Sequence, residues 1–347
     1  MSIDSQVDFI KQKLNEELKT TVSVALFGQP GAGKSSLINK IVGRKVAEPG
    51  VETDKTVDAA CYEARGLKFW DLPGYGTKNF PKETYFEKFN VKEFDLFLCV
   101  TSGKFHQADT EFFQELKQRE KVCIFIVNKH DELWEDDFTT EQLEQRKRED
   151  IYKQVGQNVA VIFTSCRKNY GLDVLTEEIE NNLDDAKKER WARGAKAYSL
   201  KFLQEKKAAC EKYVSYACAA ATANAINPIP GADIAVDISI ILKLFKEIRD
   251  DYGLSDSSLN VLEESTVPAV SQMANYVMKY ATQEGIFLIL KNFARATTIK
   301  EVSKYIPFVG QLVAAGLGYM IVSNAGESYL NKCHELAEAI LTNNLKV

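Results

Sequence analysis

The chain has 347 residues, room for two or three domains with real cores, and its 45% hydrophobic and 27% charged content excludes a disordered, collagenous or low-complexity protein. Its 44 basic and 49 acidic side chains leave a net charge of -5, without the basic excess that general nucleic-acid binding needs. Seven cysteines, an odd number with no C-x-x-C pair, suggest neither a disulfide framework nor a zinc site and point to a reducing, cytoplasmic setting.

Residues 1–20 are polar, with Ile3, Val7, Ile10, Leu14 and Leu18 at steps of three and four. That spacing predicts an amphipathic helix rather than a signal peptide. Ser2 and the closing Asn344-Leu345-Lys346-Val347 match no lipidation pattern, so membrane contact is expected to be peripheral if it occurs. Over 21–183, apolar runs at 21–27, 57–64, 67–70, 94–100, 122–127 and 159–163 read as strands. They alternate with helical periodicity at 34–42, 110–119, 140–155 and 172–183, the pattern of an α/β sheet. The charged stretch 184–193 is the predicted junction. Beyond it strands vanish, and Ala-, Leu- and Ile-rich segments broken at Asn227-Pro228-Ile229-Pro230-Gly231, Gly253, Pro268, Pro307 and Gly310 predict an all-helical domain over 184–347. Its most apolar segment, 306–322, is shorter than the roughly 20 residues that span a bilayer and reads first as a buried bundle helix, with an interfacial role second.

Between the first strand and the first helix lies Gly28-Gln29-Pro30-Gly31-Ala32-Gly33-Lys34-Ser35-Ser36, containing a complete G-x-x-x-x-G-K-S loop in the setting that this motif requires. Glycines let consecutive backbone N–H groups curl around phosphates while the following helix directs its positive end at them. The candidate contacts are therefore Gly28, Gly31, Ala32, Gly33, Lys34, Ser35 and Ser36. Lys34 is expected to reach the β- and γ-phosphates, and the Ser35 hydroxyl to ligate Mg²⁺, an ion that prefers hard oxygen donors.

The base is read from Asn128-Lys129-His130-Asp131, directly after the fifth predicted strand, where open α/β sheets bind ligands. A carboxylate there accepts both the N1–H and the exocyclic amine of guanine, which adenine cannot offer. Asp131 is thus the expected guanine reader, with Asn128 tethering the loop and the Lys129 stem over the ring. Ser165-Cys166-Arg167, after the sixth strand, stands where a backbone N–H can meet guanine O6. The expected ligands are GTP and GDP with Mg²⁺.

Phe69-Trp70-Asp71-Leu72-Pro73-Gly74 ends a strand in D-x-P-G: Asp71 can hold a magnesium-bound water, and the Gly74 N–H can sense the γ-phosphate. In the preceding segment, Glu48 to Thr56, either Thr53, the preferred choice, or Thr56 completes the Mg²⁺ shell, and Glu52 is the nearest carboxylate that could aid hydrolysis. Ras-type enzymes place a water-orienting Gln after this glycine; here it is Tyr75, so an isolated monomer is expected to hydrolyse slowly. His106, His130 and His334 show no metal-ligand spacing and read as surface or loop residues, and Glu132, Glu135, Asp136 and Asp137 as a solvated acidic face.

The run from Phe69 through Gly74-Tyr75-Gly76-Thr77-Lys78-Asn79-Phe80-Pro81 to Lys88, followed by Phe94-Asp95-Leu96-Phe97, resembles the sequence after the sensing loop in the immunity-related GTPases, an interferon-inducible, dynamin-like family. Asn227-Pro228-Ile229-Pro230 and the segment from Tyr252 to Leu259 are similar to that family's helical half. The resemblance implies a Ras-like domain at 21–183 and a helical domain built from both chain ends, with residues 1–20 packing on 184–347. It further implies self-association through the nucleotide faces, activation by that association, and a role in cell-autonomous defence at intracellular membranes. Lys34 matches the lysine-bearing members rather than those with methionine there. The base loop departs from the Thr-Lys-x-Asp of vertebrate relatives. The other readings of the same motifs are a GTP-gated binding module with negligible hydrolysis and a ribosome- or RNA-associated GTPase, the latter disfavoured by the acidic charge balance.

Overall fold

The computed structural model describes Gln12, Glu16 and residues 19–47, 59–103, 105–225, 233–296 and 318–345. Two compact units divide the chain: Thr20–Tyr198, and Ser199–Val347 together with Met1–Lys19.

The first unit is a six-stranded sheet in the order β2-β3-β1-β4-β5-β6. Its strands are β1 (Val22–Phe27), β2 (Ala60–Ala64), β3 (Leu67–Asp71), β4 (Leu96–Thr101), β5 (Val122–Val127) and β6 (Val161–Phe163). Only β2 runs antiparallel, pairing with β3 at the edge. The other neighbours are parallel, so β1, β3, β4, β5 and β6 all deliver their following loops to the same end of the sheet. Burial explains the strand sequences. Every residue of β4 is buried, as its unbroken apolar run requires of a central parallel strand covered on both faces, whereas edge strand β2 alternates.

Helices α1 (Lys34–Val42), α2 (Lys82–Lys88), α3 (Gln107–Gln118), α4 (Thr140–Val155), α5 (Leu172–Asn181) and α6 (Asp185–Gly194) belong to this unit. The seven-residue α2, which the periodicity did not predict, is too short to show a period. α4 starts at a reciprocal capping box, with Thr139 Oγ1 accepting from the Gln142 N–H and Gln142 Oε1 from the Thr139 N–H. An aromatic cluster on one sheet face, including Phe27, Phe97, Phe112 and Phe125, forms its core. The predicted junction helix is present as α6, and it packs on the sheet: Trp191 is fully buried, donates from Nε1 to the Thr176 carbonyl at 3.0 Å and meets Phe69 edge-on.

The second unit contains α7 (Leu200–Ala225), α8 (Asp233–Asp251), α9 (Asp256–Glu263), α10 (Pro268–Tyr280), α11 (Gln283–Ala296) and α12 (Gly318–Thr342). Pro268 stands at the first turn of α10, where its missing N–H costs nothing. Phe245 and Tyr329 stack at 4.0 Å, and the Tyr329 hydroxyl donates to the Val277 carbonyl, binding α12 to α8 and α10. A Cβ at Gly326 would collide with Val214, so this glycine lets α12 approach α7 closely. The apolar segment 306–322 lies largely outside the described residues. Among the described residues, no helix is long and apolar enough to cross a membrane.

His334 is a core residue of this unit and not the surface filler expected from sequence. Its Nε2 lies 3.2 Å from the Gln204 amide nitrogen, its Nδ1 lies 3.3 Å from the Tyr252 hydroxyl, and burial, reinforced by Lys207, lowers its pKa against the opposing pull of Glu338, Glu211 and Glu335. A group whose folded pKa is lowered contributes stability above its unfolded value of about 6.5 and loses it as pH falls through that value. The urea midpoint of the wild type is therefore expected to drop between about pH 7.5 and 5.5, and by less in His334→Gln; equal drops in both proteins would exclude this histidine as the cause.

Candidate functional site

The loop after β1 is shaped by glycines whose neighbours leave no room for a side chain. Gly28 has φ +123°, and a Cβ there would run into the Val100 carbonyl of β4; Gly33 has φ +93°, and its Cβ would meet the Asn128 amide. Gly33 begins α1 with no side-chain cap and no acidic residue in the first turn. The first N–H groups of α1 are thus free of capping side chains, which makes this helix end a ready anion site.

Lys34, first residue of α1, folds back so that Nζ donates to the Gly28 carbonyl at 2.9 Å and lies 3.4 Å from that of Gln29. It also sits 3.6 Å from Asp71 Oδ1 at the end of β3. That oxygen is buried and has no hydrogen-bond partner. Burial raises the Asp71 carboxyl above its usual range and Lys34 opposes the rise. A buried carboxylate oxygen with no hydrogen bond, together with the half-buried Ser35 hydroxyl on the first turn of α1, is the donor chemistry that a hard divalent cation takes. Gln29 is held from the other side by Asp109, Nε2 to Oδ2 at 3.1 Å, a brace that sequence reading did not single out.

Gly74 is exposed on the loop beyond Asp71. Tyr75 turns inward, its ring packed against Tyr85, Phe86 and Phe112, and the Tyr85 hydroxyl donates to the Pro73 carbonyl at 2.6 Å. Position 75 therefore presents no polar group toward the sensing loop. Glu52, Thr53 and Thr56 lie outside the described residues. After α1, Asn39 holds the chain at 46–47, accepting from the Val46 and Ala47 N–H groups and donating to the Ala47 carbonyl.

Asn128 joins the two ends of the site. Almost fully buried, it donates from Nδ2 to the Ala32 carbonyl of the phosphate loop at 2.9 Å, and its Oδ1 accepts from Thr164 Oγ1 at 3.1 Å and from the Cys166 thiol at 3.6 Å. Burial pushes that thiol up to about 11, so Cys166 is a neutral donor and not a nucleophile. Asp131 accepts a short hydrogen bond from Ser165 Oγ, which also receives the Lys168 N–H, and Arg167 lies 3.9 Å from its second oxygen. The Ser165 bond first, and Arg167 further, hold the Asp131 carboxyl below its usual range. Lys129 adopts φ +60° between Asn128 and Asp131.

The structure thus gathers Ala32, Gly33, Lys34, Asp71, Asn128, Asp131, Ser165 and Cys166 along one end of the sheet. They link an anion-ready helix end with a buried carboxylate paired to Lys34 and an ionised acceptor bordering a second loop. A sequence profile described as Interferon-inducible GTPase (IIGP) matches residues 2–342. The chain belongs to this family. As an interferon-inducible GTPase it carries the Ras-like P-loop fold and is a GTP hydrolase. Among its relatives, bovine Interferon-inducible GTPase 5 is 22% identical, with 92% of this chain and 75% of that protein aligned. Mouse Interferon-inducible GTPase 1 is 24% identical, over 91% of this chain and 79% of its own length. Among solved structures, Era in complex with MgGDPNP and 16S ribosomal RNA is similar over 48% of this chain and 58% of its own, at 22% identity and a TM-score of 0.39.

Proposed function

We propose that this GTPase is a switch that binds GTP with Mg²⁺, hydrolyses it slowly as a monomer, and is accelerated when two GTP-bound copies meet through their nucleotide faces. In this reading the N–H groups from Gly28 to Ser36 and Lys34 hold the phosphates. Ser35, Asp71 and a threonine of the segment 48–56 ligate the magnesium directly or through water. Bound there, the ion would neutralise charge on the β- and γ-phosphates. Asp131, with Asn128, Lys129 and the Ser165-Cys166 backbone, selects guanine, and Gly74 senses the terminal phosphate. The domains act as a nucleotide unit and a helical unit drawn from both chain ends, with peripheral action at intracellular membranes in cell-autonomous defence as the output.

The observation that supports this reading most is Asp71 Oδ1, buried without a hydrogen bond and facing Lys34 across 3.6 Å at the uncapped start of α1, a charge pattern with a place for a triphosphate and a cation. The inward packing of Tyr75 supports the need for help from outside: the residue that follows the sensing glycine cannot orient water. The same packing is also what a second reading, a GTP-gated binding module whose hydrolysis stays very slow at every concentration, would show. Phosphate release measured over a protein dilution series separates the two. The expected result is a rate per molecule that rises at least about tenfold as concentration increases; a flat, near-zero rate would leave the module.

A further inference from the structure

We infer that His130, Tyr170 and Glu144 form a positioning device that aims Asp131 at guanine; the inference rests on the reading of Asp131 as the guanine acceptor. The last ladder pair between β5 and β6 is Val127 with Phe163. Beyond it the two guanine loops leave the sheet, and their mutual register depends on cross-links outside any strand. On the inner side these include the His130 N–H to the Thr164 carbonyl at 3.0 Å, the Thr164 and Cys166 bonds to Asn128, and the Ser165 hydroxyl to Asp131.

The outer side is closed by side chains. The His130 ring stacks on Tyr170 at 4.2 Å with 11° between planes. Its Nε2 lies 2.7 Å from Glu144 Oε1 on α4, and the Tyr170 hydroxyl donates to the same oxygen at 3.3 Å. Tyr170 in turn pairs with Ser165 through both backbone hydrogen bonds, 3.0 and 3.2 Å. The contacts close a circuit: His130 fixes Tyr170, Tyr170 fixes Ser165, Ser165 holds Asp131, and Asp131 is the covalent neighbour of His130. Lys129, immediately before, is in the left-handed region, which a side-chain-bearing residue keeps only when its surroundings enforce it.

Tyr170 is 47% exposed and lines a cleft of about 440 Å³ that Glu144, Arg148 and Val174 also border. With the stack removed, the Tyr170 side chain no longer anchors its own backbone, and the loop that pairs with Ser165 is released to shift, and with it the orientation of the Asp131 carboxylate. A carboxylate must meet two guanine donors at once, so a small rotation is paid chiefly in selectivity: one of the two hydrogen bonds survives and the other fails. The device is a positioning one, since none of its three side chains needs to touch the nucleotide.

The test compares GTP with inosine triphosphate, which lacks the exocyclic amine and offers Asp131 only N1–H. Full-length His130→Ala and Glu144→Ala are expected to release a fluorescent GDP analogue about tenfold faster and to lose about five- to tenfold of the GTP-over-ITP preference in KM. Glu144→Gln keeps an acceptor for the His130 N–H and should recover most of that preference, and Tyr170→Phe keeps the stack and should stay within about twofold of wild type. A merely structural role would weaken GTP and ITP in equal proportion, and that result would overturn the proposal, as would Glu144→Gln being as impaired as Glu144→Ala. If His130→Ala does not fold, the Glu144 pair alone decides. Asp131→Asn run alongside separates the two readings. Unchanged guanine selectivity in that variant would remove the foundation, whereas an altered Asp131→Asn with an unaltered Glu144→Ala would sink only the device.

Discussion

Lys34→Ala is expected to lower GTP and GDP affinity by at least about a hundredfold and to reduce hydrolysis to background, while the sheet and its aromatic core still fold. The ammonium has no packing role: its bonds are to the Gly28 and Gln29 carbonyls and its ion pair is to Asp71. Losing it removes the only positive side chain described within ion-pair distance of Asp71, so that buried carboxyl, already raised by desolvation, rises further. The variant should therefore lose both the phosphate counter-charge and a share of the ionised carboxylate needed for magnesium. The sign of the pH dependence follows. If Asp71 serves the magnesium as proposed, magnesium-dependent GTP binding weakens as pH falls through its raised pKa, and in Lys34→Ala that weakening begins at higher pH. Titration with a fluorescent GDP analogue and with GTP, with and without magnesium, checks both effects. Near-wild-type nucleotide affinity in a folded Lys34→Ala protein would remove the loop from its role.

Much of this site is legible from residue order because backbone-defined motifs depend on spacing. Gly28 and Gly33 are required by positive φ and by approach of Val100 and Asn128, and a lysine at the first position of α1 follows from the same loop. Strand assignment was equally accessible for β4 and β5, whose unbroken apolar runs fit central parallel strands. The parts that could not be read are those made by contacts distant in sequence. His130 pairs with Glu144 on α4 and stacks on Tyr170 in another loop, and His334 meets Gln204 and Tyr252 from two other elements. An isolated histidine carries no periodic signal of either contact. Nor does Tyr75 announce whether it faces the nucleotide; its inward turn is set by Tyr85, Phe86 and Phe112. The position of α6 shows the same limit: its composition predicts a charged helix, but its place on the sheet is decided by distant contacts, Trp191 with Phe69 and Thr176 and Lys187 with Asp95.

Asp131→Asn is expected to exchange guanine for xanthine preference, with GTP affinity reduced by at least about a hundredfold and xanthosine triphosphate becoming the better ligand. The wild-type carboxylate is held below the usual carboxylate range by the Ser165 hydroxyl and by Arg167, so on the proposed reading it offers two acceptors to the two donors of guanine at neutral pH. Because its carboxyl is lowered while that of Asp71 is raised, mild acidification should cost magnesium-dependent binding before it costs base selectivity. In the asparagine variant one acceptor becomes an N–H₂ donor. Facing guanine, two donors meet and a buried hydrogen bond is lost outright, the costly case; facing xanthine, the new donor meets the 2-oxo group and both bonds return. Ser165 can still donate to the remaining Oδ1, so the loop keeps its inner tether and the change isolates base recognition from loop stability. Competition of GTP and xanthosine triphosphate against a bound fluorescent GDP analogue gives the ratio directly, and a variant that keeps the wild-type order of preference would mean that some other group reads the base.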